Sequence, residues 1–181
     1  SRSEVVDYIY EKIKNILSCG KISYIKWDMN RNMTEIGSAT LPSNKQKEVA
    51  HRYILGLYSL LERLITEFPE ILFESCASGG GRFDPAMLYY MPQTWASDNS
   101  DAIERLNIQY GTSFAYPPIT MGAHVSAVPN HQLRRVTSLN TRANVAFFGA
   151  FGYELDLNKM TEHEKEVVKE LLAYNFTAKN V

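Results

Sequence analysis

Three clusters in this chain carry residues able to do chemistry, and each follows a run of strand-forming residues. The first is KWDMNR, Lys26 to Arg31. A carboxylate leaving an apolar strand between Trp27 and Met29 is expected to be partly desolvated, and the cations Lys26 and Arg31 would keep it ionised. An ionised carboxylate beside an aromatic suits attack on a sugar carbon, with the indole as a stacking surface. The same residues also fit a plain surface Asp paired with a cation.

The second cluster is ESCASGGGRFD, Glu74 to Asp84. Consecutive glycines let backbone approach a ligand closely, although a tight turn uses them equally well. The spacing to a following Lys and Ser/Thr that a phosphate loop needs is missing, and so is the dinucleotide pattern G-x-G-x-x-G. Cys76 has no neighbouring His to activate it, so it reads as a wall residue rather than a nucleophile.

The third is WASDNSDAIERL, Trp95 to Leu106. Asp98 and Asp101 could chelate a metal, but Ala102 stands where a calcium loop wants an oxygen ligand. One of the two is expected to cap the helix beginning near Ala102, which leaves the other as an acid. His51, His124, His131 and His163 show no i, i+4 pair, so neither zinc nor another cofactor is indicated. His124, at a predicted strand end, is a candidate for the pocket wall. Trp27 and Trp95 each lie close to a candidate carboxylate, and sugar rings stack on indoles. Two carboxylates on different strand ends fit glycoside hydrolysis, which needs one ionised and one protonated carboxyl on opposite sides of the bond.

Periodicity supplies the elements that must position these clusters. Val5, Val6, Ile9, Ile13, Ile16 and Leu17 predict a helix, with Gly20 just past its end as a left-handed cap. SYIKWD predicts a strand. Ser43 with Gln46 reads as a capping box ahead of a helix whose apolar face runs from Val49 to Ile65. ILFES and QTWAS predict two more strands, the latter followed by a helix over 102–110. Further strands are expected near 121–126 and 145–151, with a helix over 133–144 between them. Thr161 with Glu164 makes a capping box for a last helix. This alternation argues for α/β architecture, a parallel sheet of βα units with function at the carboxyl ends of the strands.

The chain has 181 residues, enough for one domain with a sizeable core. Nineteen basic against twenty acidic residues leave a formal charge of -1, so no basic face for nucleic acid or anionic membrane is expected. No apolar run approaches the roughly eighteen residues of a membrane span, and the opening SRSEVVDYIYEK lacks a signal-peptide layout. The expected location is cytoplasmic, although a chain without an initiating Met is expected to be part of something longer. Cys19 and Cys76 are too few for a disulfide framework and are expected to be free thiols.

KWDMNR, CASGGGRFDPAMLYYMPQTWASDNSDAIERLNIQYGTS, GAHVSAVPNHQ and FGYELDL together resemble glycoside hydrolase family 36, the microbial α-galactosidases or melibiases. The resemblance runs from Ile25 to Tyr174. It implies a (β/α)8 TIM barrel catalytic domain, of which residues 1–181 would form the second part, about strands four to eight, without the first barrel strands or the flanking domains. It makes Asp28 the nucleophile on the fourth strand and Asp98 the general acid/base on the sixth. Lys26 and Asn30 would hydrogen-bond galactose hydroxyls, and Cys76 and Gly79 would shape the space beside the 2-hydroxyl. Ala86 stands where Gly is frequent in the family and Ser100 where Thr is frequent.

The implied activity is hydrolysis of terminal α-D-galactosyl residues of raffinose-type oligosaccharides, by double displacement through a galactosyl-enzyme intermediate and without a cofactor. A related α-galactosyltransferase or α-N-acetylgalactosaminidase shares these motifs, and so does an inactive sugar-binding or scaffolding fragment. An open half barrel would expose sheet edges and apolar surface, so a homo-oligomer is expected.

Overall fold

A computed structural model of the chain describes residues 2–30 and 33–178, with side chains as far as Tyr174. Arg31, one of the two cations expected beside Asp28, lies outside the described residues. The chain divides into two compact units, Ser1–Ala77 with Asp84–Pro92, and Ser78–Phe83 with Gln93–Val181.

The first unit contains α1 (Ser3–Leu17), β1 (Tyr24–Asp28), α2 (Val49–Glu67), β2 (Leu72–Cys76) and α3 (Pro85–Tyr90). Gly20 follows α1 at φ 66°, the left-handed conformation its position predicts. β1 and β2 pair in parallel, setting Lys26 opposite Glu74 and Asp28 opposite Cys76. The core is built by Tyr10 and Leu17 of α1, Leu57, Leu60, Leu61 and Leu64 of α2, and Phe73 of β2. Leu61 and Leu64 are fully buried, each burial contributing about 1.5–3 kcal/mol. Ile25, Trp27 and Met29 pack against this core. Strand side chains alternate, so Tyr24, Lys26 and Asp28 occupy the other face of β1.

One expectation for this unit is corrected, and one element is new. The Ser43–Gln46 capping box does not form, because Ser43–Glu48 is a 3-10 turn with Pro42 at its N-cap. The Gln46 side chain instead ties the preceding loop, donating to the carbonyls of Ser38 (2.8 Å) and Leu41 (2.7 Å) and accepting from the Ser38 amide (2.9 Å). α3 was not expected. It begins at Asp84, whose carboxylate accepts from the Met87 amide at 2.8 Å, with Pro85 pre-set for the first turn.

The second unit contains β3 (Gln93–Trp95), α4 (Ala102–Ser113), β4 (Met121–Ser126), α5 (Leu139–Ala146), β5 (Ala150–Glu154) and α6 (Glu162–Ala178). β4 pairs in parallel with both β3 and β5. Ala123 and Val125 of β4 pack on Ala143 and Ala146 of α5. The helix expected over 133–144 starts at Leu139, because Arg134 sits at φ 58° and Ser138 caps the Thr141 amide at 3.1 Å. The strand expected over 145–151 is displaced to 150–154, since Val145 and Ala146 complete α5. The predicted Thr161–Glu164 box forms: the Thr161 hydroxyl accepts from the Glu164 amide (3.2 Å), and the Glu164 carboxylate from the Thr161 amide (2.9 Å).

Parallel strands joined through helices fit a portion of an α/β barrel. No helix among the described residues is long and apolar enough to cross a membrane.

Candidate active site

In the first unit Asp28 is the last residue of β1, and the Asn30 side-chain amide donates to its carboxylate at 3.1 Å. Asp28 is exposed rather than partly desolvated, a correction that follows from its place on the face away from the helices. Two residues earlier, Lys26 lies 3.6 Å from the carboxylate of Glu74, which is 1% exposed. Glu74 also accepts a hydrogen bond from the Tyr24 hydroxyl. Burial, then that bonded carboxylate, push the Tyr24 phenol well above its ordinary pKa. Cys76 ends β2, is buried, and accepts from the Met29 amide through its carbonyl at 3.0 Å.

Trp27 does not share the face of Asp28. Its indole packs against the α1–α2 core with Ile25 and Met29. Adjacent strand residues point to opposite sides, so a tryptophan next in sequence to the carboxylate is not a stacking surface beside it.

In the second unit the glycine loop and the segment after β3 are built against each other. Gly79 is buried at φ 84°, and a Cβ there would lie 2.7 Å from the Ser97 Cα and 3.1 Å from the Asp98 amide nitrogen. The Gly80 amide donates to the Ala96 carbonyl at 3.0 Å. Tyr116 anchors the same loop, its hydroxyl donating to the Phe83 carbonyl at 3.0 Å and its ring stacking on Phe83 at 4.0 Å. Asp98 itself is exposed.

Asp101, not Asp98, is the helix cap. Its carboxylate accepts from the amides of Ile103 (3.0 Å) and Glu104 (3.1 Å) and pairs with Arg135. Asn99 braces the loop between them, accepting from the Asp101 amide at 3.1 Å. The capping duty thus falls on Asp101, while the Asp98 side chain is exposed.

Trp95 is corrected as well. It is 3% exposed, and its ring lies 4.7 Å from the His124 ring and 4.5 Å from the Arg105 guanidinium. It supports the strand end from within and offers no open face for a sugar. His124 is half-buried, with its imidazole covering Gly152 of β5.

Three supporting residues were not anticipated: Arg105, Asn130 and Arg135. Arg105 and Gln109 are buried in α4 together with Ala102, while Ile103, Leu106 and Tyr110 of the same helix are exposed. Two polar residues at i+3 and i+7 from Ala102, on the same helix face, were the available signal. Asn130, 2% exposed, donates to the Ser100 hydroxyl at 3.4 Å, and nothing in its local sequence announces that contact.

Residues 1–181 match the sequence profile of the Melibiase family throughout. The chain belongs to the melibiase family, the α-galactosidases of glycoside hydrolase family 36. Among curated melibiases it is 63% identical over 174 residues to alpha-galactosidase AgaA of Geobacillus stearothermophilus, an alignment covering 96% of this chain and 24% of AgaA. To alpha-galactosidase Mel36A of Lactobacillus acidophilus it is 55% identical over 174 residues, with the same coverage of 96% and 24%. A crystal structure of a variant of AgaA in complex with raffinose superposes with a TM-score of 0.94 at 61% identity, over 97% of this chain and 24% of that one. A second AgaA variant, in complex with stachyose, gives 0.95 at 59% identity over 99% and 25%. The chain therefore spans about a quarter of the length of the melibiases it matches.

Proposed function

We propose that this chain carries the catalytic centre of a retaining α-galactosidase that removes terminal α-galactosyl residues from raffinose-type oligosaccharides. Asp28 attacks the anomeric carbon while Asp98 protonates the departing glycosidic oxygen, leaving galactose esterified to Asp28. Asp98 then takes a proton from water, which attacks the same carbon, breaks the ester and releases galactose with its configuration retained.

Lys26 and Asn30 bind galactose hydroxyls in this reading, and the Asn30 amide also holds the Asp28 carboxylate. Cys76 and Gly79 form the wall beside the 2-hydroxyl. Trp27 and Trp95 serve beneath the site, packed rather than stacked on sugar. The strands β1 to β5 are numbers four to eight of the barrel. Exposed Tyr110, Phe114 and Phe148 favour burial against further protein, including a second copy.

The observation that carries the reading is Asp28 as the closing residue of β1, in a chain that matches the melibiases from end to end. The test is hydrolysis of raffinose by the full-length protein, followed by proton NMR. The first anomer to appear should be α-galactose. Asp28→Ala should lower turnover by roughly 10⁴-fold or more, as loss of a nucleophile does elsewhere. Initial release of the β anomer, or turnover surviving in Asp28→Ala, would overturn the proposal.

A further inference from the structure

Arg105 is a buried cation that the chemistry above leaves unused. It is 3% exposed within α4. Its Nη1 donates to the Ser97 carbonyl at 3.1 Å, its Nη2 to the Gly122 carbonyl of β4, and its Nε to the Gln109 side chain at 3.1 Å. Gln109 is fixed in turn, donating to the Val145 carbonyl at 2.9 Å. The guanidinium carbon lies 4.5 Å from the centre of the Trp95 ring. Its hydrogen-bond and ring partners are carbonyls, an amide and an indole, and the Glu154 carboxylate attracts it only without such a bond.

Burying a cation is costly unless its donors are satisfied, and burial draws the Arg105 pKa down to about 10. What the arrangement gains is geometric. A planar fork reaches two carbonyls and a side chain at once, which a single ammonium cannot do from one position. Ser97 immediately precedes Asp98, and Gly79 lies so near it that a Cβ on the glycine would meet the Ser97 Cα at 2.7 Å. The Asp98 backbone is therefore fixed both by the Arg105 fork and by the glycine loop.

The geometry points to Arg105 as the positioning residue for Asp98, holding the backbone ahead of it through the Ser97 carbonyl. This rests on the assignment of Asp98 as acid/base. Loss of the fork impairs proton delivery to the leaving group more than it impairs sugar binding.

The experiment compares Arg105→Lys and the milder Gln109→Met with the parent in the full-length protein. Each is assayed on raffinose and on a dinitrophenyl α-galactoside, whose leaving group departs without a proton. General acid catalysis is worth about 10²–10⁴-fold, and displacing the acid forfeits part of it. For Arg105→Lys, kcat/KM on raffinose should fall about tenfold to a hundredfold, and on the aryl substrate by less than about threefold. Gln109→Met should shift in the same direction by a smaller factor. Inhibition by free galactose should not change. Equal loss on both substrates in either variant, or no loss on raffinose, overturns the proposal. Asp98→Ala in the same assay separates the two failures. If it shows no preference for the aryl substrate, the assignment of Asp98 is wrong; if it does and Arg105→Lys does not, only the positioning role is wrong.

Discussion

Gly79 and Ser97 approach so closely that a Cβ on the glycine would sit 2.7 Å from the serine Cα. Backbone cannot yield there as the end of a flexible side chain can, and φ 84° at Gly79 is itself unfavourable for any L side chain. Gly79→Ala is therefore expected to destabilise the fold by about 1–3 kcal/mol and to displace the Asp98 backbone. Activity on raffinose should drop by about tenfold or more, which is at least the same order of free energy. Gly111→Ala is the contrast: nothing lies within 4 Å of its Cβ position and it sits inside α4, so it should be stabilising by up to about 1 kcal/mol. Thermal melting of the two variants checks both signs.

Asp101 performs two tasks from a buried position, capping α4 and pairing with Arg135. Asp101→Ala removes both and should cost about 2 kcal/mol or somewhat more, since capping alone is worth about 0.5–2 kcal/mol. Asp101→Asn keeps an acceptor for the Ile103 and Glu104 amides and should recover the capping part only. Urea denaturation midpoints in the order parent, Asn, Ala would bear this out; equal midpoints for the two variants would not.

That one of Asp98 and Asp101 caps α4 was legible, because a helix starting at Ala102 needs a cap, and the structure gives that task to Asp101. The tryptophans were not. Sequence adjacency of Trp27 to Asp28 suggested a shared surface, whereas strand alternation sends them to opposite faces. Trp95 precedes Asp98 by three residues, yet a chain leaving a strand turns enough to bury one and expose the other. The strand end at Asp28 was readable from a short β-rich run, and the run ILFES stops one residue before the end of β2 at Cys76. β5 was misplaced because ANVAFFGAF is apolar with no clear period, and such a run fits helix and strand alike. Arg105 escaped notice since a charged helix residue is ordinarily solvated, and its partners come from distant segments.

Glu67 gives the fold a titratable clamp between α1 and α2. Lys14 lies 2.7 Å from its carboxylate and the Tyr10 hydroxyl donates to it, with Arg63 adding a weaker attraction. The Lys14 bond first, then the Tyr10 bond, hold the Glu67 carboxyl below its ordinary range. A carboxylate lowered in the folded state stabilises above its unfolded pKa, near 4.5, and that contribution is lost as pH falls through the folded value. Glu67→Gln should thus be less stable than the parent at pH 7, with the gap closing in acid below about pH 4. The groups are partly exposed, so high salt should shrink the gap at pH 7 as well. Melting temperatures across a pH series read both effects, and a gap that widens in acid would contradict the sign.

Glu74 faces the amino group of Lys26 at 3.6 Å from a position that is 1% exposed. The Tyr24 hydroxyl takes its other oxygen, so the carboxylate holds Lys26 from a fixed point. If Lys26 binds a galactose hydroxyl, the benefit is realised on binding and persists in the transition state. Glu74→Gln keeps the volume and removes the charge that aligns Lys26. A hydrogen bond of this kind is worth about 0.5–1.5 kcal/mol, so KM for raffinose should rise about threefold to tenfold. Turnover at saturation should change by less than about twofold, because ground state and transition state lose the same contact. Lys26→Met should show a larger rise in KM of the same character. A fall in kcat at constant KM in Glu74→Gln would instead place the Glu74–Lys26 pair in the chemical step, with the Lys26 ammonium acting on charge that develops only at the transition state.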